Sequence, residues 1–185
     1  MVTVVLGIAA LVGWAAFEFA FRAPGEASTW HGKATDRGST RLLVLAYAVA
    51  AVLPALLWRL DFGGLGQAAW AGVALAFAGL ILRAWGMRTL GRSYSRTLRT
   101  SNDQRLVTTG PYRRVRHPGY LGSIAVWVGA SLAFHSWVAA MIVAVLMVLA
   151  YGWRISAEER MLAEHFGDEY RSYAARTARL IPGIF

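Results

Sequence analysis

The chain opens with a nearly unbroken apolar run, Val2 to Phe21, of about the 20 residues a helix needs to cross a bilayer. Its second half carries Trp14, Phe17, Phe19 and Phe21, and it has neither a basic leader nor a small-residue cleavage site, so it predicts a helix and not a signal peptide. Glu18, near one end of the run, is expected to snorkel toward the interface, with a functional role as the less favoured alternative. A polar stretch from Arg22 to Arg41, holding the only lysine, Lys33, leads to a second apolar run. That run predicts a helix over 42–60, kinked at Pro54 where neighbouring helices can re-satisfy the backbone. After a short connection with Asp61, Gly63, Gly64 and Gly66, a third helix is predicted over 68–87, with Gly72 and Gly79 allowing close helix contact. Two further helices, 118–134 and 137–153, meet at His135-Ser136 and predict a helical hairpin whose first arm is short for a full span. Past Trp153, Leu162, Phe166, Tyr170 and Tyr173 recur at spacings of three and four. This predicts that the helix continues out of the bilayer with an apolar face toward the membrane or the preceding loop.

Five such helices in 185 residues, with 57% hydrophobic content, predict an all-α integral membrane protein, one membrane domain over 1–185 without a separate catalytic unit. The absence of cysteine excludes disulfides, thiolate metal sites and cysteine nucleophiles. His31, His117, His135 and His165 are scattered with no HExxH-type pair, so no metal is expected. A net charge of +9 would suggest nucleic acid in a soluble protein. Here the arginines flank apolar spans, and the expected partner is the bilayer with its anionic headgroups, not nucleic acid. From Arg83 to Arg116 arginines recur against a single acid, Asp103, which predicts a strongly positive surface. An external N-terminus puts every basic cluster on the cytoplasmic face, together with the 88–122 segment and the C-terminal segment 154–185.

Polar chemistry gathers in Gly110-Pro111-Tyr112-Arg113-Arg114-Val115-Arg116-His117-Pro118-Gly119-Tyr120-Leu121-Gly122. Two X-Pro steps and three glycines impose a defined turn, while Arg, His and Tyr supply donors and aromatic faces. A topogenic loop followed by a Pro-started helix would look similar. Arg154 and Glu158 share a helix face, and as an ordinary i,i+4 ion pair they would contribute only about 0.3–0.5 kcal/mol.

Together, Leu106-Val107, Gly110-Pro111-Tyr112, Arg116-His117-Pro118-Gly119-Tyr120-Leu121-Gly122, and then Glu158-Glu159 with Phe166-Gly167 and Tyr170 resemble the isoprenylcysteine carboxyl methyltransferase family and its phospholipid methyltransferase relatives. The resemblance covers about the last half of the chain. It implies a helical membrane fold that binds S-adenosylmethionine without a Rossmann domain and releases S-adenosylhomocysteine. Carried over by residue, it places cofactor contacts at Gln104, Arg105, Leu106, Val107, Tyr112, His117, Pro118, Gly119, Tyr120 and Glu158. Arg154 would hold a substrate carboxylate, with His117 and Glu158 joining it as catalytic residues. Many members carry His where this chain has Gln104, which keeps a donor and an acceptor but loses a titratable ring. The implied reaction is methylation of a lipophilic, isoprenoid-like substrate, with carboxyl O-methylation first. Phospholipid amine N-methylation is the alternative, for which His117 or Glu159 is the nearest base, and a non-catalytic protein keeping the fold comes third.

Overall fold

The computed structural model of the chain describes residues 1–20, 39–60, 64–91 and 106–183. Its helices are α1 (Val2–Ala20), α2 (Ser39–Arg59), α3 (Ala69–Leu90), α4 (Pro118–Ala133), α5 (Trp137–Phe166) and α6 (Asp168–Ala174). Short 3-10 turns at Gly66–Ala68 and Gly110–Arg113 lead into α3 and toward α4. A helix is present at each of the five predicted positions, and α2 runs through Pro54. Four helices, α1, α2, α3 and α5, are long and apolar enough to cross a membrane, and α4 is the shorter one. Its 16 residues extend about 24 Å.

Half-exposed tryptophans stand near both ends of two of the long apolar helices. Trp70 and Trp85 on α3, and Trp137 and Trp153 on α5, each stand near the ends of an exposed apolar face. At 1.5 Å per residue each pair is separated by about 23 Å, and tryptophan near both ends of an apolar helix is the placement expected of interfacial aromatic belts. The apolar part of α5 ends at Trp153, and every charged residue of this 30-residue helix lies beyond that point.

The hairpin between α4 and α5 turns at His135, whose φ is 64°, and Ser136 caps α5 by accepting from the Ala139 N–H at 3.2 Å. α3 packs most extensively on α4, along a seam of small residues. A Cβ built at Gly79 would lie 2.6 Å from the Gly122 carbonyl oxygen, and one at Gly129 would lie 2.5 Å from the Ala76 nitrogen. Only glycine lets the two backbones approach so closely. The remaining core, Ala46, Ala50, Trp127, Val143, Met147, Tyr151 and Ile155, lies between α2, α4 and α5.

Three expectations are corrected. The apolar period past Trp153 does not belong to one helix, because Gly167 adopts φ 54° and ends α5. Tyr170 and Tyr173 therefore sit on the separate α6, buried, with Tyr173 bonded to the Tyr112 loop, while Leu162 and Phe166 are half-buried on α5. Arg83 is not part of a positive surface but is 5% exposed between helices. Glu18 does not snorkel: its carboxylate accepts from the Arg83 guanidinium.

Candidate functional site

The turn that opens α4 follows from its prolines and glycine. Gly110 enters the 3-10 turn at φ 58°, with Pro111 inside it, and Pro118 begins α4, where its missing N–H costs nothing. His117 occupies the cap position, but its ring makes no cap bond and is turned toward α5. It is 5% exposed and stacks on Tyr120 at 5.6 Å between centroids and 7° between planes.

Four residues then converge. The Tyr120 hydroxyl donates to Glu158 Oε2 at 2.6 Å and accepts from Arg154 Nε at 3.1 Å. Arg154 and Glu158 are thus joined through a third residue held by the α4 turn. His117 Nδ1 lies 3.9 Å from the same Glu158 oxygen, and its Nε2 lies 3.4 Å from Glu159 Oε1. Arg154 is buried at 7% exposure, one residue past the Trp153 belt, whereas the Glu158 side chain keeps 26% of its surface open. Below this cluster runs a column of rings. Tyr120 meets Tyr151 at 4.8 Å, Tyr151 shares a hydroxyl hydrogen bond with Tyr47, and Tyr47 packs on Trp127 at 5.2 Å and Trp14 at 4.8 Å.

A second layer holds the turn from behind. Val115 and Ala178 form an isolated parallel bridge, in which Ala178 N–H donates to Arg114 O at 3.0 Å and Arg116 N–H to Ala178 O at 2.8 Å; beside it, His117 N–H donates to Arg179 O at 3.1 Å. Glu159 accepts from Arg116 Nε at 2.7 Å on one oxygen and from Arg179 Nε at 2.9 Å on the other. It stands six residues past Trp153, outside the apolar part of α5. Burial raises its pKa, but hydrogen bonds and charge from His117 and Arg116 outweigh that and hold the carboxyl down at about 2. Arg116 also donates to the Ala174 carbonyl at 2.8 Å and to the Thr177 carbonyl. On α6, burial pushes the Tyr173 phenol up to about 12 against the opposing charge of Arg116, so it stays a donor to the Tyr112 carbonyl at 2.8 Å.

Of the residues singled out in the sequence, His117, Tyr120, Arg154 and Glu158 form one cluster, with Pro118 and Gly119 in the turn that carries them. Tyr112 is buried on the α3 side of the turn, near Gly86, and Leu106 and Val107 are half-buried as the chain approaches it. Gln104 and Arg105 lie outside the described residues. Among the described residues no group of three or more His, Asp or Glu could hold a metal ion. Sequence reasoning missed the clamp made by Thr177, Ala178 and Arg179, as well as Tyr47 and Tyr151 beneath the cluster. No spacing rule connects Arg179 to Glu159, so the sequence carried no local signal for the clamp.

Residues 72–164 match the isoprenylcysteine carboxyl methyltransferase (ICMT) family. Protein-S-isoprenylcysteine O-methyltransferase A of Arabidopsis thaliana is 32% identical over 166 residues, covering 85% of this chain and 84% of its own. The protein-S-isoprenylcysteine O-methyltransferase of Saccharomyces cerevisiae is 33% identical over 115 residues, covering 61% of this chain and 48% of its own. In fold, the chain resembles the structure of the eukaryotic intramembrane Ras methyltransferase ICMT with a TM-score of 0.68 at 24% identity, over 75% of this chain and 52% of that one. The chain therefore spans about half the length of that structural relative. The architecture is that of an all-α integral membrane protein. With a family match over half its length and a relative above 30% identity along most of both chains, this chain belongs to the isoprenylcysteine carboxyl methyltransferase family.

Proposed function

We propose that the protein is an S-adenosylmethionine-dependent membrane methyltransferase that esterifies the carboxylate of a lipophilic, isoprenylcysteine-like substrate. The observation that carries this reading is the convergence of Arg154 and Glu158 on the Tyr120 hydroxyl, just outside the Trp153 belt and above a column of aromatic rings. The names of the relatives favour the carboxyl reaction over phospholipid amine methylation.

S-adenosylmethionine supplies a methyl group already made electrophilic by its sulfonium sulfur. The residues suit such a cation: Glu158 presents a partly open carboxyl group, and the stacked rings of His117 and Tyr120 offer π faces beside it. Glu158 retains acceptor capacity beyond its bond from Tyr120, and with Tyr112 and the His117–Tyr120 turn it would hold the cofactor. Arg154 would orient the substrate carboxylate through guanidinium donors so that one oxygen faces the methyl carbon. A carboxylate needs no general base, so the chain's task is alignment and exclusion of water. Burial of Arg154 strengthens its hold on an anion, since little solvent competes there. The tail of the substrate would run past the half-buried ring of Tyr120 toward the bilayer. We further infer that the site faces the cytoplasm, because the basic segments cluster at that end of the helices.

The test is transfer of labelled methyl from S-adenosylmethionine to S-farnesylcysteine derivatives and to phospholipids, followed by alkaline treatment. Label released as volatile methanol supports the ester; alkali-stable label in phospholipid would move the reading to amine methylation. No transfer to either, with cofactor binding absent, would leave a non-catalytic membrane protein.

A further inference from the structure

Arg83 and Glu18 form a charge pair that neither the packing nor the proposed chemistry requires. Arg83 lies two residues before the Trp85 belt, with 6% of its side chain exposed, and Glu18 has 19%. A buried ion pair at membrane depth costs more in desolvation than an apolar contact of the same size. It is not needed to join α3 to α4, because the glycine seam already brings those backbones together. What the pair does is aim a guanidinium at the first turn of α4. One terminal nitrogen donates to Glu18, and the other donates to the Gly119 carbonyl at 2.8 Å and to Ser123 Oγ at 2.6 Å. Ser123 also accepts from the Trp14 indole at 3.0 Å, and the guanidinium carbon lies 5.8 Å from the centre of that ring. A Cβ at Gly122 would sit 2.8 Å from the Arg83 nitrogen, so the same seam sets the arginine beside the turn.

Gly119 stands between His117, at the cap position of α4, and Tyr120, which joins Arg154 to Glu158. We propose that Arg83, charge-balanced by Glu18, is a positioning residue that holds the first turn of α4 and thereby sets His117 and Tyr120 for cofactor binding. The proposal rests on the cofactor reading above. It assigns to α1, outside the residues matched by the family, a part in building the site. Arg83 touches the turn through a backbone carbonyl, so its effect passes through Tyr120 and His117.

A purely structural pair and a positioning pair behave differently when both charges are replaced together by apolar residues of similar volume. Such replacements are often neutral or stabilising, so Glu18→Leu/Arg83→Met should melt in detergent at or above the wild-type temperature. The expected result is a folded variant that binds S-adenosylhomocysteine about tenfold more weakly by calorimetry, about the free energy of one charge-assisted hydrogen bond. Ligand-free amides of residues 117–123 should also exchange faster than in wild type. A stable double variant with wild-type affinity and wild-type protection of that turn overturns the proposal. If the double variant does not fold, Arg83→Lys decides: it keeps the charge beside Glu18 but loses the fork that reaches Gly119 and Ser123. Weakened binding in the folded lysine variant supports positioning, and undiminished binding with unchanged exchange overturns it. If the wild type itself binds no S-adenosylhomocysteine, the cofactor reading falls, and faster exchange of the turn in the variants decides whether Arg83 holds it.

Discussion

Arg154 separates two roles that a charge count would merge. A solvated i,i+4 partner of Glu158 could be exchanged for lysine almost silently, since such pairs contribute about 0.3–0.5 kcal/mol. The observed side chain is buried and donates through Nε to Tyr120. Lysine keeps the charge but not the planar fork. Arg154→Lys should therefore fold and bind S-adenosylhomocysteine within about twofold of wild type, yet lose on the order of 100-fold in turnover of a carboxylate substrate, the effect of misalignment by about 1 Å. Wild-type turnover would rule out the clamp. Glu159 has a different task, tying Arg116 and Arg179 across the back of the turn. Glu159→Gln should cost about 1.5–3 kcal/mol of stability, the range for hydrogen bonds to charged groups. Its carboxyl is depressed from 4.5 to about 2 in the folded protein, so its contribution is complete above about pH 4.5 and lost as pH falls through about 2. The melting difference between wild type and variant should hold steady above about pH 5 and shrink below pH 4.5; a difference independent of pH in the acid range would refute this linkage. The Arg154–Glu158 spacing was legible in the sequence because four residues make one helical turn. Tyr120 as the atom between them was not, because tertiary approach leaves no periodic trace.

Among the elements, the α3–α4 seam sets the strictest limit on side-chain size. A methyl at Gly129 would meet the Ala76 nitrogen at 2.5 Å, backbone that cannot yield, whereas one at Gly152 on α5 meets nothing within 4 Å. Gly129→Ala should lower the melting temperature in detergent, at a cost of about 1–3 kcal/mol for overpacking. Gly152→Ala should be neutral or stabilising by up to about 1 kcal/mol, since alanine is the better helix former. Equal effects at the two positions would contradict the seam. Apolar length alone made the five spans legible, and Gly72 and Gly79 signalled a close contact, but not its partners Gly122 and Gly129. The break at Gly167 escaped because Phe166 and Tyr170 keep a helical spacing across it. The local signal was the glycine itself, followed by Asp168 and Glu169 in the first turn of α6.

For the whole molecule, the two ends of the bundle are distinct. Thr3 Oγ1 lies 2.8 Å from His135 Nε2, so the start of α1 and the α4–α5 turn share one end, while α6 and the Arg154 cluster occupy the other. Combined with the basic segments, this predicts that reporters fused at Arg37 and after Gly183 read cytoplasmic and one at Gly64 reads external. An external reading after Gly183 would invert the proposed orientation. Alternation of the spans was legible because arginines flank them. What Trp14 and Tyr47 contribute was not, since an aromatic residue inside an apolar run looks the same whether it faces lipid or a neighbouring ring. The bridge between Val115 and Ala178 also bears on how the molecule is made. His117 leaves the ribosome long before Arg179, its backbone partner, and at 5–20 residues per second the interval is roughly 3–12 s. During that time α4 can insert against α3, but the turn that carries His117 has nothing behind it. A nascent chain halted before Thr177 would hold every residue of the Arg154 cluster and still lack the strap that fixes them, so assembly of the site waits on translation of its last few contacts.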